Sequence, residues 1–264
     1  MIVPSAFDPP MLLAIAAALL YGVAAFLHTH PSPHPPRLAL LLAWLLHMSA
    51  IVSALVVEGA RFGFGPALSV TTWLMISVYG IEYHILPRLQ PHWPLALIAA
   101  AAAVIGAVYP GQPLATNAGP LLAIHLALAI ACYGLFAMAV LHGWLMQRAE
   151  KQMRNASALQ VDGLPLLSLE RLTFRFAAAG FVLLTATLVA GLFFGEELYG
   201  RAWTWSHKEV FSVLAWLTFT GLLLARWQQG LRGRKAVRIL NIGAIFLLLA
   251  YVGSRFVMEV VLRT

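Results

Sequence analysis

An all-α polytopic transmembrane bundle of about eight spans is the fold class that three observations on the sequence predict. Of 264 residues, 61% are hydrophobic and only 10% charged, with a mean hydropathy of +0.83; a soluble domain carries roughly a quarter charged residues. The apolar residues fall into runs of the length a helix needs to cross a bilayer, about 20 residues each. Proline, glycine and charge punctuate those runs and leave little polar sequence for a second domain.

In chain order the spans read as 10–28, 38–57, 67–86, 94–110, 119–145, 174–195, 210–227 and 237–256. The fourth is alanine-rich and the weakest. Residues 1–10 contain Asp8 and no Lys or Arg, so the first run lacks the basic leader of a cleavable signal and reads as a retained helix. Residues 1–264 form a single integral membrane domain: a five-helix part (1–146), a cytoplasmic connection (147–173) and a three-helix part (174–264). The last part carries a tryptophan-rich extracytoplasmic loop at 196–211. The two parts share no sequence repeat.

A formal charge of +7 and a pI near 10.0 on their own suit a nucleic-acid binder, but the basic residues sit between the apolar runs and act as topology signals. The first, third, fifth and seventh connections hold Arg37, Arg88, the group Arg148, Lys151, Arg154 and Arg171, and the group Arg232, Arg234 and Lys235. The opposite set holds Arg61, Arg201 and Lys208, offset by Glu58, Glu196, Glu197 and Glu209. By the positive-inside rule the richer set is cytoplasmic and both termini are extracytoplasmic, and the surroundings are membrane lipid. No nucleic-acid partner is expected. The lone cysteine, Cys132, excludes an internal disulfide and a CxxCH haem-attachment site.

Histidines are the chemically capable residues within these spans. His28, His30 and His34 lie in the proline-rich HTHPSPHPPR connection and read as solvated. His47 lies near mid-span in LLAWLLHMSAIVSA, where imidazole needs either a hydrogen-bond partner on a neighbouring helix or a metal. His125 lies just inside the fifth span, with Ala129, Cys132, Tyr133 and Phe136 on or near its helical face; small residues there would let a planar group approach. His84 and His142 fall near predicted span ends and read as interface-exposed. Glu82 and Arg255 fall inside apolar runs, and each should seek a partner or water.

The segment Gly200-Arg201-Ala202-Trp203-Thr204-Trp205-Ser206-His207-Lys208-Glu209 concentrates the remaining chemistry. Two indoles beside a cation and an anion at a membrane surface make a platform for a planar, carboxylate-bearing ligand such as haem. The plainer reading is an aromatic belt followed by ordinary first-turn residues.

This segment resembles the tryptophan-rich haem-handling loop, WGxxWxWDPKExW, of the CcsA, CcmC and CcmF cytochrome c assembly family. With the helix LLAIHLALAIACYGLFAM the resemblance extends over about 119–256, and it is nearest to the YpjD-type inner-membrane subgroup. It implies that Gly200, Trp203, Trp205, Lys208 and Glu209 belong to a haem-presenting loop and that His125 is an axial iron ligand. Tyr199, Ser206, His207 and Phe211 replace the first tryptophan, the aspartate, the proline and the last tryptophan of that pattern. Leu224 stands where the seventh span often carries a histidine, and no second external histidine follows the last span.

The resulting expectation is a membrane protein that binds or presents haem, b-type and non-covalent, near the outer face. His125 is the candidate iron ligand and His47 a secondary one, with Trp203, Trp205, Lys208 and Glu209 around the macrocycle. Lys208 would meet a propionate and Glu209 would steady the lysine. Independent catalysis is not expected; partners would be other cytochrome c assembly subunits or an apocytochrome. The alternative is a cofactor-free accessory or transport-associated subunit that keeps the fold. A b-type electron carrier using His47 is a weaker third reading, because no span shows paired histidines.

Overall fold

Proline starts much of the helical structure. Its fixed φ suits the first helical turn, where its missing N–H costs nothing. Pro9 and Pro10 open α1 (Pro9–Thr29), Pro36 opens α2 (Pro36–Val57), Pro94 lies in the first turn of α4 (Trp93–Val108), and Pro120 opens α5 (Pro120–Arg154). Pro165 is the N-cap of α6 (Leu166–Phe193). The remaining helices are α3 (Phe64–Ile85), α7 (His207–Gln229) and α8 (Gly233–Leu248). α8 runs on through a π-helical turn (Leu249–Gly253), a short α segment (Ser254–Phe256) and a second π-helical turn (Val257–Val261). This computed structural model describes residues 8–30, 36–57, 61–86, 93–114, 120–154, 165–195 and 205–262.

The fold is an all-α membrane bundle. Among the described residues, seven helices are long and apolar enough to cross a bilayer, and α4, with 16 residues, is a shorter apolar helix. A two-residue antiparallel ribbon is the exception, pairing Arg61 with Pro113 and Phe62 with Gln112. Arg61 reinforces it by donating from Nε (3.2 Å) and Nη2 (2.8 Å) to the Gly111 carbonyl.

The helices overrun the apolar runs. α5 continues to Arg154 although hydropathy falls away after about residue 145, and α6 begins at Leu166, well before 174. A helix needs only its own backbone hydrogen bonds to persist, so the polar stretches 147–154 and 166–173 are helix beyond the apolar layer.

The chain divides into two compact units. The first comprises 1–77, 91–116 and 255–264. In it α1 packs on α2 and α4 around Ala17, Tyr21, Ala25, Ala43, Ile76, Ala96 and Ala99. Small side chains let membrane helices approach closely, which matters because lipid supplies no hydrophobic drive for helix association. The Trp44 and Trp73 rings stack at 5.1 Å, and Trp44 Nε1 donates to Ser77 Oγ at 2.8 Å.

The second unit comprises 78–90 and 117–254. α5 packs along α6 and against α8, and α7 packs on α8. At its centre Phe136 of α5 stacks on Phe219 of α7, with centroids 3.8 Å apart and planes 12° apart. Gly180 of α6 lies against Phe136, and Gly243 of α8 lies against Phe219. The turn from α7 to α8 closes at Gly230 (φ +64°), whose N–H donates to Arg226 O while Leu231 N–H donates to Ala225 O. The bond from Gly230 to Arg226 is the 5→1 closure of an αL helix ending, which favours glycine at its left-handed residue. Arg226 and Arg232 pair with the buried Glu170 of α6, and Arg234 and Arg154 pair with Glu150 of α5. These contacts gather the α5 C-terminus, the α6 N-terminus and the α7–α8 turn at one end of the unit. The N-termini of α5 and α7 are the opposite ends of the same helices.

Candidate functional site

His125 is the sixth residue of α5, so its Cα lies about 7.5 Å along the axis from the helix start at 1.5 Å per residue. It is buried, with 6% of its surface exposed. Lys208 is the second residue of α7 and is an electrostatic neighbour of the His125 ring. The second unit therefore brings together an imidazole and an ammonium separated by more than 80 positions in the sequence. Behind them on α5, Cys132 is buried and donates to the Gly180 carbonyl at 3.4 Å, and the Tyr133 hydroxyl donates to the Leu247 carbonyl. The latter bond enters the backbone just ahead of the π-helical turn Leu249–Gly253, the kind of insertion that accompanies helix irregularity.

Trp205 precedes α7 and is 71% exposed. His207 is exposed, and Lys208 and Glu209 are half-buried. Gly200 and Trp203 lie outside the described residues. Glu209 closes a capping box: the Ser206 N–H donates to Glu209 Oε2 at 3.1 Å, and the Ser206 hydroxyl meets the same oxygen. This S-x-x-E signature was legible in Ser206-His207-Lys208-Glu209, where the carboxylate satisfies a backbone donor of the first turn. Phe211, in the place of the loop's last tryptophan, stacks on Phe246 of α8 at 6.3 Å. Leu224 is 47% exposed.

His47 occupies a different environment, in the first unit. It is fully buried, with Nδ1 3.4 Å from Tyr21 Oη and Nε2 2.9 Å from Ser69 Oγ. Both ring nitrogens thus have hydroxyl neighbours on other helices. His28 and His30 are exposed at the end of α1, His30 stacking on Phe26 at 4.1 Å, and His84 is exposed. His34 lies outside the described residues.

His142 departs from expectation. Instead of facing an interface it is fully buried, with Nε2 3.1 Å from Glu82 Oε2 and Nδ1 2.8 Å from the Met138 carbonyl. Its place near the end of the predicted span suggested an interfacial depth, but the partner that permits burial comes from α3. Glu82 thereby finds its partner, and Arg255 has Glu259 as an electrostatic neighbour one turn away.

Comparison with known proteins adds the decisive observation. The family model "Cytochrome C assembly protein" matches residues 35–262. The chain belongs to the cytochrome c assembly protein family. Among its relatives, the inner membrane protein YpjD of Escherichia coli K12 is 34% identical over 146 residues, 55% of each chain. The cytochrome c biogenesis protein CcsA of Gloeobacter violaceus is 30% identical over 92 residues, 35% of this chain and 27% of its own. CcsA of Synechococcus sp. CC9902 is 26% identical over 201 residues, 61% of this chain and 65% of its own. The chain thus spans about half the length of the YpjD relative it matches. No solved structure matches it significantly. Family membership and the apolar helices together make it a multi-pass protein of the bacterial inner membrane. Among the described residues no group of three or more His, Cys, Asp or Glu side chains is arranged to hold a bare metal ion.

Proposed function

We propose that this protein binds or presents haem near the outer membrane face in cytochrome c assembly, without independent catalysis. The observation that carries the reading is the burial of His125 with Lys208 as its electrostatic neighbour, each near the N-terminus of its helix. Haem asks for a neutral nitrogen donor to iron and cations for its propionates. A buried imidazole beside an ammonium fits that demand, and a haem ligand set needs no cluster of three metal-binding side chains. The buried Cys132 thiol, engaged with a backbone carbonyl, supports non-covalent, b-type binding.

Each residue then has a distinct task. His125 would hold the iron through a ring nitrogen, Lys208 would orient a propionate, and Trp205 and Trp203 would offer indole faces to the macrocycle. Glu209 acts through the capping box, fixing the first turn of α7 and hence the lysine's position. Haem held there would supply a redox-active iron porphyrin, and the chain would keep it for, or pass it to, an apocytochrome together with other assembly subunits. His47, flanked by Tyr21 and Ser69, holds α1, α2 and α3 together rather than ligating iron. The termini and the tryptophan-rich segment face outward on the charge pattern.

The departures of the loop from the family pattern favour a second reading. Ser206 and Glu209 have a complete structural reason in the cap, as a cofactor-free accessory subunit would need. Titration of purified protein with ferric haem, followed by Soret absorption, separates the two. Losing a charge-assisted hydrogen bond of about 1.5–3 kcal/mol lowers affinity by about tenfold or more, so Lys208→Ala should bind that much more weakly than wild type. Equal affinity would refute the propionate role, and no saturable band in wild type would favour the accessory reading.

A further inference from the structure

The buried contact between α3 and α5 has a proton count that its geometry dictates. His142 Nδ1 lies 2.8 Å from the Met138 carbonyl oxygen, which can only accept, so Nδ1 must carry hydrogen. In a neutral ring so oriented, Nε2 presents a lone pair. Yet Nε2 lies 3.1 Å from Glu82 Oε2, and an ionised carboxylate also presents only lone pairs. Two bare acceptors at that distance repel, with little water to relieve them: His142 is 0% and Glu82 8% exposed. The contact is attractive only if one further proton lies between the two groups.

We propose that Glu82 and His142 form a proton-binding site inside the membrane bundle, holding one shared proton. Imidazolium with carboxylate, and imidazole with carboxylic acid, are the two placements of that proton, and both leave the pair without net charge. Releasing it would leave one uncompensated negative charge in the bundle, the costly state for a group at this depth.

The surroundings suit a retained proton. Phe176 of α6 stacks on the imidazole at 5.4 Å and 20°. Val237 and Leu240 of α8 press on the adjoining Gly143. On α3, Tyr79 is an electrostatic neighbour of Glu82 and of Tyr83, a group that can share a proton but brings no permanent cation. An acid–imidazole pair lodged among helices is the arrangement by which intramembrane sites take up and release single protons. The site is independent of the haem reading, since it uses neither His125 nor the α7 N-terminus.

Solid-state NMR of the full chain in lipid bilayers, labelled with 15N-histidine and 13C-glutamate, tests it. The through-space correlation between a ring nitrogen and a glutamate carboxyl identifies the pair in the wild-type protein, so the reading does not depend on any variant folding. The expected spectrum has Nδ1 protonated, with a second proton on Nε2 or on the carboxyl. In Glu82→Gln the ring should be neutral, with Nδ1 protonated and Nε2 bare, so that the pair has lost one proton whichever group held it. A wild-type ring that is neutral and protonated on Nε2 alone, beside an ionised carboxylate, would overturn the proposal. So would a Glu82→Gln ring that still carries protons on both nitrogens.

Discussion

Replacing Gly243 with alanine should destabilise the packing of α5, α6, α7 and α8, of which α5 carries His125 and α7 carries Lys208. A Cβ at Gly243 would lie 2.6 Å from Phe219 Cε1 and 2.8 Å from Cζ, where carbon atoms prefer 3.5–4.0 Å, an overlap of about 1 Å. Phe219 has nowhere to retreat. It is fully buried, and its far face rests on Phe136 at 3.8 Å. Phe136 in turn lies 3.1 Å from the place a Cβ would take on Gly180. Overpacking of a filled core costs about 1–3 kcal/mol, and with no slack on either side the upper part of that range is expected. The assay is unfolding in mixed detergent followed by tryptophan fluorescence, with Gly221→Ala as control. Gly221 lies two residues from Phe219 on the same helix, and a Cβ there meets nothing within 4 Å, so that variant should be neutral or slightly stabilised. Adding Phe219→Leu to Gly243→Ala should recover part of the loss, because the two positions share one contact. Indistinguishable stabilities for Gly243→Ala and Gly221→Ala would refute the clamp.

Other outcomes follow from the same structure. His47→Ala leaves the Tyr21 and Ser69 hydroxyls without their imidazole, at about 1–3 kcal/mol per buried group deprived of a partner; unfolding should shift while haem binding stays. Loss of the Soret band with unchanged stability would instead make His47 a ligand. Ser206→Ala removes the N-cap of α7 at a cost of about 1 kcal/mol, and hydrogen exchange should quicken in the first turn of α7 and not at the Phe136–Phe219 core. Uniform quickening would contradict a local cap. A tag inserted between residues 155 and 164 should resist labelling by a membrane-impermeant reagent added from the periplasm, whereas ready labelling would reverse the orientation read from the charges.

The spans were legible because lipid imposes a length and a composition that few other folds share. Their ends were not, because the 147–154 stretch is polar and still helical, and hydropathy reports the surroundings rather than the hydrogen-bonded backbone. His142 was misjudged for a related reason. Depth was inferred from neighbours along the chain, while the group that makes burial tolerable, Glu82, arrives from 60 positions away. The same non-locality hid the Phe136–Phe219 stack and its two glycines. Around the candidate site, Lys208 is an electrostatic neighbour of His125, a proximity between distant positions that the surroundings of neither residue in the chain disclosed. Glu209 is the reverse case: the local signature Ser206-x-x-Glu209 identified a helix cap, and the reading toward haem passed over it.

The most direct measurement is the absorption and resonance Raman spectrum of the purified protein reconstituted with haem, wild type beside His125→Ala. A histidine-ligated Soret band near one haem per chain is expected in wild type, strongly weakened or shifted in His125→Ala while the far-ultraviolet dichroism of the two proteins coincides. A wild type that stays colourless with haem in excess, or a variant whose iron–imidazole signature is unchanged, would contradict the assignment of His125 as the residue that holds the iron.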